Sequence, residues 1–212
     1  MELKNKYYDD KNCIEAGVDE AGRGCLFGPV HAAIVLWDPS ITIPSNIKIT
    51  DSKKMTKLQR DKAYKYIIEN AIDWSVGYCD PAIIDEINIL NATKRAMRRA
   101  FGCLNVRPDV VLIDGNQTFS SSVMPNRCVT DDKDCEFITV LQGDSKFVSI
   151  AAASILAKVS HDNYIVSMCN EDPTLDYKYN LRSNMGYGTK NHRDGIKQHG
   201  LTPLHRHSFK LK

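Results

Sequence analysis

Four acidic residues stand where apolar segments end or begin, and carboxylates are costly to desolvate at such positions. They are Asp19, Glu20, Asp114 and Asp144. The first three close short apolar runs that lead into glycine, whereas Asp144 precedes a long alanine-rich segment. Carboxylates that converge at a sheet edge repel one another unless a cation neutralises them, and oxygen ligands suit Mg²⁺ or Mn²⁺. The pattern therefore indicates a divalent-metal centre, provided that the fold brings these side chains together.

Each of these acids also has an ordinary structural interpretation. Aspartate before glycine is common in turns, and aspartate ahead of a helix is a common N-terminal cap. Periodicity along the chain does not show which side chains meet in space. Both interpretations stay open at this point.

Apolar periodicity predicts the elements that would position the acids. Short runs rich in valine, isoleucine and alanine indicate strands, and apolar spacings of three and four indicate helices. The predicted strands cover residues 14–19, 30–37, 74–79, 109–113 and 137–141. The predicted helices cover about 56–70, 88–104, 147–168 and 191–199, with Thr56 and Asn88 as caps. This order predicts an α/β fold with a mixed central β-sheet flanked by helices and a small C-terminal helical appendage.

The chain is expected to form a single domain over residues 1–212, with an α/β core at about 14–170 and a basic C-terminal segment at about 171–212. The helix at 56–70 is expected to bury Leu58, Ala63, Tyr66 and Ile67. Beyond Asp172-Pro173 the chain is expected to be irregular until the last helix.

Basic residues concentrate near the end of the chain. From Lys178 to Lys212 there are eight basic residues and one acidic residue, a net charge of +7. The whole chain carries +2, so residues 1–177 carry −5. This asymmetry is typical of a protein with one face for a polyanion and another that gathers carboxylates, although a solvated basic tail would give the same count.

Several other kinds of site are poorly supported by the sequence. The spacing between the glycines at 24 and 28 is one residue longer than in the dinucleotide-binding pattern. No phosphate-loop motif or Gly-x-Ser-x-Gly elbow is present in the sequence. The seven cysteines include no Cys-x-x-Cys pair, which disfavours a disulfide framework or zinc ribbon. The histidines near the end fit no standard zinc spacing and are expected at the surface or facing phosphates. They are His192, His199, His205 and His207.

Composition and hydropathy suggest an intracellular protein. No run approaches the roughly 18 apolar residues of a membrane span, and the first twelve residues lack an apolar signal core. We expect a soluble, cytoplasmic protein with no membrane association, acting as a monomer with no obligatory protein partner.

Five segments, in order and spanning about residues 14–209, together resemble the ribonuclease HII family in its single-chain bacterial form. The first is Asp19-Glu20-Ala21-Gly22-Arg23-Gly24, followed by Gly28-Pro29-Val30. The others are Asp51-Ser52-Lys53-Lys54, Leu112-Ile113-Asp114-Gly115-Asn116, Gly143-Asp144 with the helix Ile150-Ala151-Ala152-Ala153-Ser154-Ile155-Leu156-Ala157-Lys158-Val159, and Gly186-Tyr187-Gly188-Thr189 with His205-Arg206-His207-Ser208-Phe209.

The resemblance implies a ribonuclease H-like fold and an endonuclease that acts on RNA/DNA hybrids or on ribonucleotide-containing duplex DNA. It implies cleavage 5′ of the ribonucleotide, leaving a 3′-hydroxyl and a 5′-phosphate, with two divalent ions, Mg²⁺ or Mn²⁺. The catalytic and metal-binding carboxylates it implies are Asp19, Glu20, Asp114 and Asp144. The substrate-binding residues it implies are Gly22, Arg23, Gly24, Ser52, Lys53, Tyr187 and Arg206.

The roles implied for these residues differ. Gly22, Arg23 and Gly24 are expected to contact the 2′-hydroxyl through backbone groups, and Tyr187 to stack on the following sugar. Ser52, Lys53 and the segment around Arg206 are expected to contact phosphates.

The sequence departs from the family pattern beside the glycines. Cys25 and Phe27 stand where proline and a small residue are more usual, and His31 replaces a small or aliphatic residue. These departures bear on substrate preference, and Cys25 is expected to be a packed, inert thiol.

Two alternative functions remain at this stage. One is another nuclease of the same superfold, either a type 1 ribonuclease H or a junction resolvase. The other is a non-catalytic nucleic-acid-binding module.

Overall fold

A computed structural model describes residues 3–10, 12–119 and 135–210. Within them the chain forms five strands and six helices. The strands are β1 (Glu15–Ala21), β2 (Val30–Leu36), β3 (Asp73–Cys79), β4 (Val110–Asp114) and β5 (Glu136–Val140). The helices are α1 (Lys57–Asn70), α2 (Pro81–Gly102), α3 (Val148–Glu171), α4 (Pro173–Tyr179), α5 (Leu181–Asn184) and α6 (Lys190–His199). Cys128 and Lys212, which entered the cysteine and charge predictions, lie outside the described residues.

The strands form one mixed sheet in the order β3-β2-β1-β4-β5. β1 and β2 form an antiparallel hairpin, and β3 extends it antiparallel to β2. β4 pairs parallel to β1, with Val18 opposite Ile113, and β5 pairs parallel to β4. The carboxyl ends of β1 and β4 therefore meet at the same edge. The predicted α/β fold with a mixed sheet is confirmed.

Helices cover both faces of the sheet. On one face, Ala32 and Ile34 of β2 belong to the core shared with α2. On the other face, Ala33 and Val35 belong to the core shared with α1 and α3. This alternation is the two-residue period of a strand buried on both sides.

α3 lies unusually close to β1 because of Gly17. A Cβ at this position would lie 2.2 Å from the backbone carbonyl carbon of Ser149. The close approach packs the first turn of α3 against β1 two residues before Asp19.

Two helix predictions need correction. α1 begins after the predicted Thr56 cap, which accepts a hydrogen bond from the backbone of Gln59, but Leu58 is 68% exposed. Leu58 and the buried Ile67 are nine positions apart, which at about 100° per residue places them on opposite faces. α2 begins at Pro81, earlier than predicted, and is interrupted at Asn88, where φ is 65°. The Asn88 side chain accepts from the backbone of Asn91, so it caps only the second part of α2.

The region after Asp172 is helical, contrary to the expectation of irregular structure. The Asp172 side chain caps α4 by accepting from the backbone N–H of Thr174, and Pro173 occupies the first turn. Both are standard helix-start signals that the sequence contained. The predicted last helix is confirmed as α6.

Among the described residues, no helix combines the length and apolar character that crossing a bilayer requires.

Candidate metal centre and the adjoining glycine loop

Three of the predicted acids meet at the edge of the sheet where β1 and β4 end. Asp114 is the last residue of β4 and shares a face with Leu112, which packs against Ile150 of α3. Asp19 lies on the same face of β1 as Gly17, beneath α3. Asp144 lies in a 3₁₀ turn, residues 143–145, just ahead of α3.

One oxygen from each of Asp19, Asp114 and Asp144 lies within 4.8 Å of the other two. We call these three residues the acid cluster. Asp19 and Asp144 are 5% and 7% exposed, so little water solvates their charges. An oxygen of Asp114 accepts the backbone N–H of Gly143 at 2.7 Å, which ties β4 to the turn that carries Asp144.

The electrostatics of the cluster favour a bound cation. Burial raises the pKa of Asp19 well above its ordinary value, and the charges of Glu20 and Asp114 raise it further. Burial and the charge of Asp114 raise the pKa of Asp144 in the same direction. Converging carboxylates with poor solvation are a donor set that a hard divalent cation fits, because it replaces the missing counter-charge.

Glu20 is adjacent to the acid cluster but lies on the other face of β1, as strand alternation requires. Its carboxylate accepts a hydrogen bond from the Arg23 guanidinium at 2.9 Å. It also lines a small cleft of about 110 Å³ that includes Asp114 and Lys94 of α2. The four predicted acids thus border one sheet edge, three within mutual reach and Glu20 beside them.

The two predicted phosphate contacts near residue 52 differ in accessibility. Ser52 is 4% exposed, and its hydroxyl accepts a hydrogen bond from Ser154 at 2.7 Å. Lys53 is exposed, and its positive charge partly offsets the rise that burial and the neighbouring carboxylates cause in the pKa of Asp19 and Asp144. Lys53 is therefore the residue of this pair that can reach a polyanion beside the acid cluster.

The glycine loop (residues 22–24) follows β1 directly. Gly22 has a φ of +82°, a conformation that side chains disfavour. A Cβ at Gly24 would lie 3.8 Å from the Tyr187 ring, so that ring borders the loop. Tyr187 is 39% exposed, and the Lys158 ammonium lies 5.5 Å from its ring centroid. The loop and the ring form one surface next to the acid cluster.

Arg206 does not lie at that surface, contrary to the expectation of a phosphate contact. It is 2% exposed, and its guanidinium donates to the carbonyl oxygens of Gly28 and Arg23, each at 2.9 Å. Burial lowers its pKa to about 10. In this structure Arg206 fixes the backbone of the glycine loop from beneath.

Two of the histidines expected at the surface are fully buried. His205 accepts the backbone N–H of Thr202 at Nδ1 (3.0 Å), so its proton is assigned to Nε2. His205 Nε2 and His192 Nε2 are 3.1 Å apart, which makes His192 the acceptor. His192 then donates from Nδ1 to the Tyr187 carbonyl oxygen at 3.0 Å. We call His192 and His205 the histidine pair. Their chain of hydrogen bonds ends on the Tyr187 carbonyl oxygen and so fixes the backbone of that residue.

Asp85 of α2 anchors the end of the chain, a role that the sequence did not reveal. Its carboxylate accepts the backbone N–H groups of His207 and Ser208, each at 2.9 Å. These bonds hold residues 207 and 208 against α2, next to Arg206, which reaches the glycine loop, and His205, which pairs with His192.

The chain matches the family model described as ribonuclease HII over residues 16–212. A ribonuclease HII of Phocaeicola vulgatus is 44% identical over 204 residues, covering 96% of this chain and 92% of that protein. The ribonuclease H2 structure from Pyrococcus horikoshii OT3 matches with a TM-score of 0.71 at 26% identity, over 93% of this chain and 94% of that chain. A Bst-RNase HIII structure in complex with Mn²⁺ has a TM-score of 0.62 at 18% identity, and the match covers 93% of this chain and 67% of that chain. That last likeness concerns the fold.

Proposed function

The chain belongs to the ribonuclease HII family and is a ribonuclease H enzyme, and from that premise we propose a more specific activity. It hydrolyses the RNA strand of RNA/DNA hybrids and cuts 5′ of single ribonucleotides in duplex DNA. Water attacks the phosphorus, the bond to the 3′ oxygen breaks, and the products carry a 3′-hydroxyl and a 5′-phosphate.

The observation that carries this proposal is the acid cluster beside the glycine loop. We assign Asp19, Glu20, Asp114 and Asp144 as ligands of two divalent ions, Mg²⁺ or Mn²⁺. Bound there, such ions would lower the pKa of the attacking water and offset the charge of the phosphate and the leaving oxygen. The four carboxylates would hold these ions, whose positive charge would attract the scissile phosphate.

Substrate selection is assigned to the surface next to the cluster. The 2′-hydroxyl is the group that distinguishes RNA from DNA at a fixed site. Backbone groups of Gly22, Arg23 and Gly24 contact it, and the exposed face of Tyr187 stacks on the sugar that follows. A deoxyribose fits against the ring, whereas a second ribose is crowded by its 2′-hydroxyl.

The remaining assignments concern contacts with the phosphate backbone, which do not depend on the nucleotide sequence of the duplex. Lys53 and the C-terminal segment contact phosphates, while Ser52 and Arg206 act from buried positions by holding the backbone nearby. Residues 1–212 act as one domain and as a monomer, in the cytoplasm, with a nucleic-acid duplex as the only obligatory partner.

A cleavage panel tests the proposal. End-labelled duplexes carry no ribonucleotide, one ribonucleotide, or four or more, and each is incubated with Mg²⁺ and with Mn²⁺. We expect cleavage 5′ of the single ribonucleotide and within the RNA tract, with no cleavage of the all-DNA duplex. Cleavage of the RNA tract alone would indicate type 1 specificity, and cleavage of an added four-way junction would indicate a resolvase. Binding without metal-dependent cleavage would leave only a nucleic-acid-binding module.

A further inference from the structure

A buried polar network connects the two halves of the surface assigned to sugar recognition. Cys25 and His161 are both fully buried, and Cys25 Sγ lies 3.5 Å from His161 Nε2. His161 Nδ1 lies 3.2 Å from an Asp162 oxygen, and Lys158 donates to the same carboxylate at 2.8 Å. Lys158 also faces the Tyr187 ring, so the network begins under the glycine loop and ends at the tyrosine.

The proton positions in this network follow from its charges. Lys158 and His161 lower the pKa of Asp162 through hydrogen bonds, so its carboxylate is ionised and accepts from both. The His161 proton is therefore assigned to Nδ1, which leaves Nε2 as an acceptor. The Cys25 thiol can donate to that nitrogen or to the Met185 carbonyl oxygen, which is also 3.5 Å away.

The order thiol, imidazole and carboxylate is also found in cysteine hydrolases, but nucleophilic chemistry does not suit this site. A nucleophilic cysteine must be accessible and partly ionised. Cys25 is 0% exposed, and burial raises its pKa to about 12. The expectation that Cys25 is packed is confirmed, and its burial and raised pKa favour the expected inertness, so the network is better explained by a role other than nucleophilic chemistry.

His161 lies directly against the glycine loop. A Cβ at Gly22 would lie 2.4 Å from Cδ2 of His161 and 2.7 Å from its Nε2, so the imidazole occupies the space beneath that residue. A displacement of His161 would therefore be transmitted to the backbone at Gly22.

Cys25 joins the loop to Tyr187. Its backbone N–H donates to the Gly22 carbonyl oxygen, and it forms an antiparallel bridge with Tyr187. Next to it, Leu26 donates to the Gly186 carbonyl oxygen at 2.8 Å. Burial raises the pKa of Tyr187 to about 12, and Cys25 is among the neighbouring groups that raise it further.

The residues that depart from the family pattern gather at this network. Cys25 contacts His161 directly, and the His31 ring lies edge-on to His161 with 5.7 Å between centroids. The ring of Phe27, the third departure, lies edge-on to that of His205 in the histidine pair, with 5.1 Å between centroids. Each departure therefore lies against a histidine that supports the glycine loop or Tyr187: Cys25 and His31 against His161, and Phe27 against His205.

We propose that Cys25 and His161 are positioning residues that hold the glycine loop and Tyr187 at a fixed separation, and so determine the preference for a ribonucleotide followed by a deoxyribonucleotide. The inference rests on the proposed function of that surface. Neither residue touches the substrate, since both are buried beneath the loop.

The test compares the activity of each variant on two substrates. A general loss of activity affects both substrates equally and therefore cancels in their ratio. One duplex contains a single ribonucleotide in DNA, and the other pairs an all-RNA strand with DNA, where each ribose is followed by another ribose. The measured quantity is the ratio of kcat/KM for the first duplex to that for the second. Cys25→Ala removes the thiol, and His161→Asn keeps a donor toward Asp162 but does not reach Cys25.

We expect the ratio to fall roughly tenfold in each variant, because small misplacements of substrate-positioning groups cost up to about 100-fold in rate. The double variant should fall no further, since both changes break the same contact. Cys25→Ser restores a donor and His161→Gln restores an acceptor near Nε2, so both should recover most of the ratio. Cys169→Ala, also buried and two turns further along α3, is the matched control and should leave the ratio unchanged.

The possible outcomes separate this inference from the proposed function. A wild-type chain that does not cut at the single ribonucleotide contradicts both. A wild-type preference that persists in Cys25→Ala and His161→Asn overturns the inference alone. A ratio that falls equally in Cys169→Ala also overturns it, because general loosening of α3 would then be sufficient. If His161→Asn fails to melt cooperatively, the comparison of Cys25→Ala with Cys25→Ser decides.

Discussion

The acid cluster and the histidine pair both remove titratable groups from water, but they are stabilised in opposite ways. Asp19, Asp114 and Asp144 place like charges within 4.8 Å, and burial raises the pKa of the first and last. His192 and His205 are fully buried, but both are neutral and each ring nitrogen has a hydrogen-bond partner. The cluster thus fits the proposed cation, whereas the polar groups of the histidine pair find their partners within the protein.

This difference indicates a division of work around the site. Groups that act on the phosphate must keep unsatisfied charge, which costs stability in the absence of a ligand. Groups that hold the glycine loop and Tyr187 must stay fixed, which favours neutral side chains with every donor and acceptor used. The two regions should therefore respond in opposite directions to neutralising substitutions and to pH.

The largest effect is expected from Asp19→Asn. The change removes a ligand charge, and we expect cleavage to fall by at least about 10³-fold, since metal ions supply several kcal/mol of transition-state stabilisation. The free energy of unfolding without metal should rise, because the amide no longer repels its neighbours. The stabilisation by Mg²⁺ or Mn²⁺, about 2.7 kcal/mol at 100 times the dissociation constant, should be lost. Single-turnover cleavage and thermal melts with and without metal measure these effects.

Asp61→Asn provides the control for that substitution. Asp61 is partly exposed on α1 and pairs with Lys57 at 3.5 Å. None of the contacts described for the site involves it. It should alter neither cleavage nor the metal-dependent shift in Tm. Full cleavage by Asp19→Asn would remove the assignment of the acid cluster as the metal centre.

A second, intermediate effect is expected from pH acting on the histidine pair. Burial and the neighbouring histidines lower the pKa of His205 from 6.5 to about 4. Between these values the unfolded chain takes up a proton that the folded chain does not, so stability is complete above about pH 6.5 and falls as the pH drops toward 4. The loss should be of the order of 3 kcal/mol. The acid cluster has raised pKa values, so without metal it gains relative stability over the acid range in which its folded carboxylates take up protons.

Chemical denaturation from pH 7 to pH 4 in the presence of a chelator, for wild type and His205→Gln, separates these contributions. The variant should be less stable at pH 7 by about 1–3 kcal/mol, because a buried hydrogen-bond chain is broken. It should also lose less stability on acidification than wild type does. Parallel pH profiles for the two proteins would show that His205 does not titrate differently in the folded state.

The same two regions differ in how far the sequence predicted them. Asp19 and Asp114 follow apolar runs, so local pattern nominated them as candidates. That they meet depends on the parallel pairing of β1 with β4, which local pattern did not predict. The position of Glu20 beside the cluster rather than within it follows from strand alternation. Asp144 was nominated as a residue ahead of a long helix, and Gly17 explains why that helix start lies so near β1.

The buried histidines and Arg206 could not be recognised in this way. Lysine and arginine are frequent around them in the sequence, which favours an exposed segment. His205 is buried against Phe27, 178 positions earlier, and against Tyr179. A weak signal existed for His192, which shares a helix face with Gly195 and Ile196. Burial that depends on distant pairing leaves little trace in local composition.

The smallest effect is expected at the exposed boundary of the acid cluster, where Lys53 lies. Its charge partly offsets the raised pKa of Asp19 and Asp144, and because Lys53 is exposed, salt screens this interaction. Lys53→Ala should weaken duplex binding only a few-fold, to a similar extent for hybrid and single-ribonucleotide substrates. The slope of log affinity against log salt concentration should fall in magnitude by about 1, as for the loss of one phosphate contact.

Lys57→Ala, an exposed lysine paired with Asp61 on α1, is the matched control and should leave that slope unchanged. Binding is measured over a range of salt concentrations with Ca²⁺ or a chelator in place of Mg²⁺, so that the substrate is not cleaved during the measurement. A change in the ratio between the two substrates, rather than in the common slope, would place Lys53 with the groups that select the sugar. The division between a charged, screened phosphate side and a neutral, fixed sugar side would then not hold at this residue.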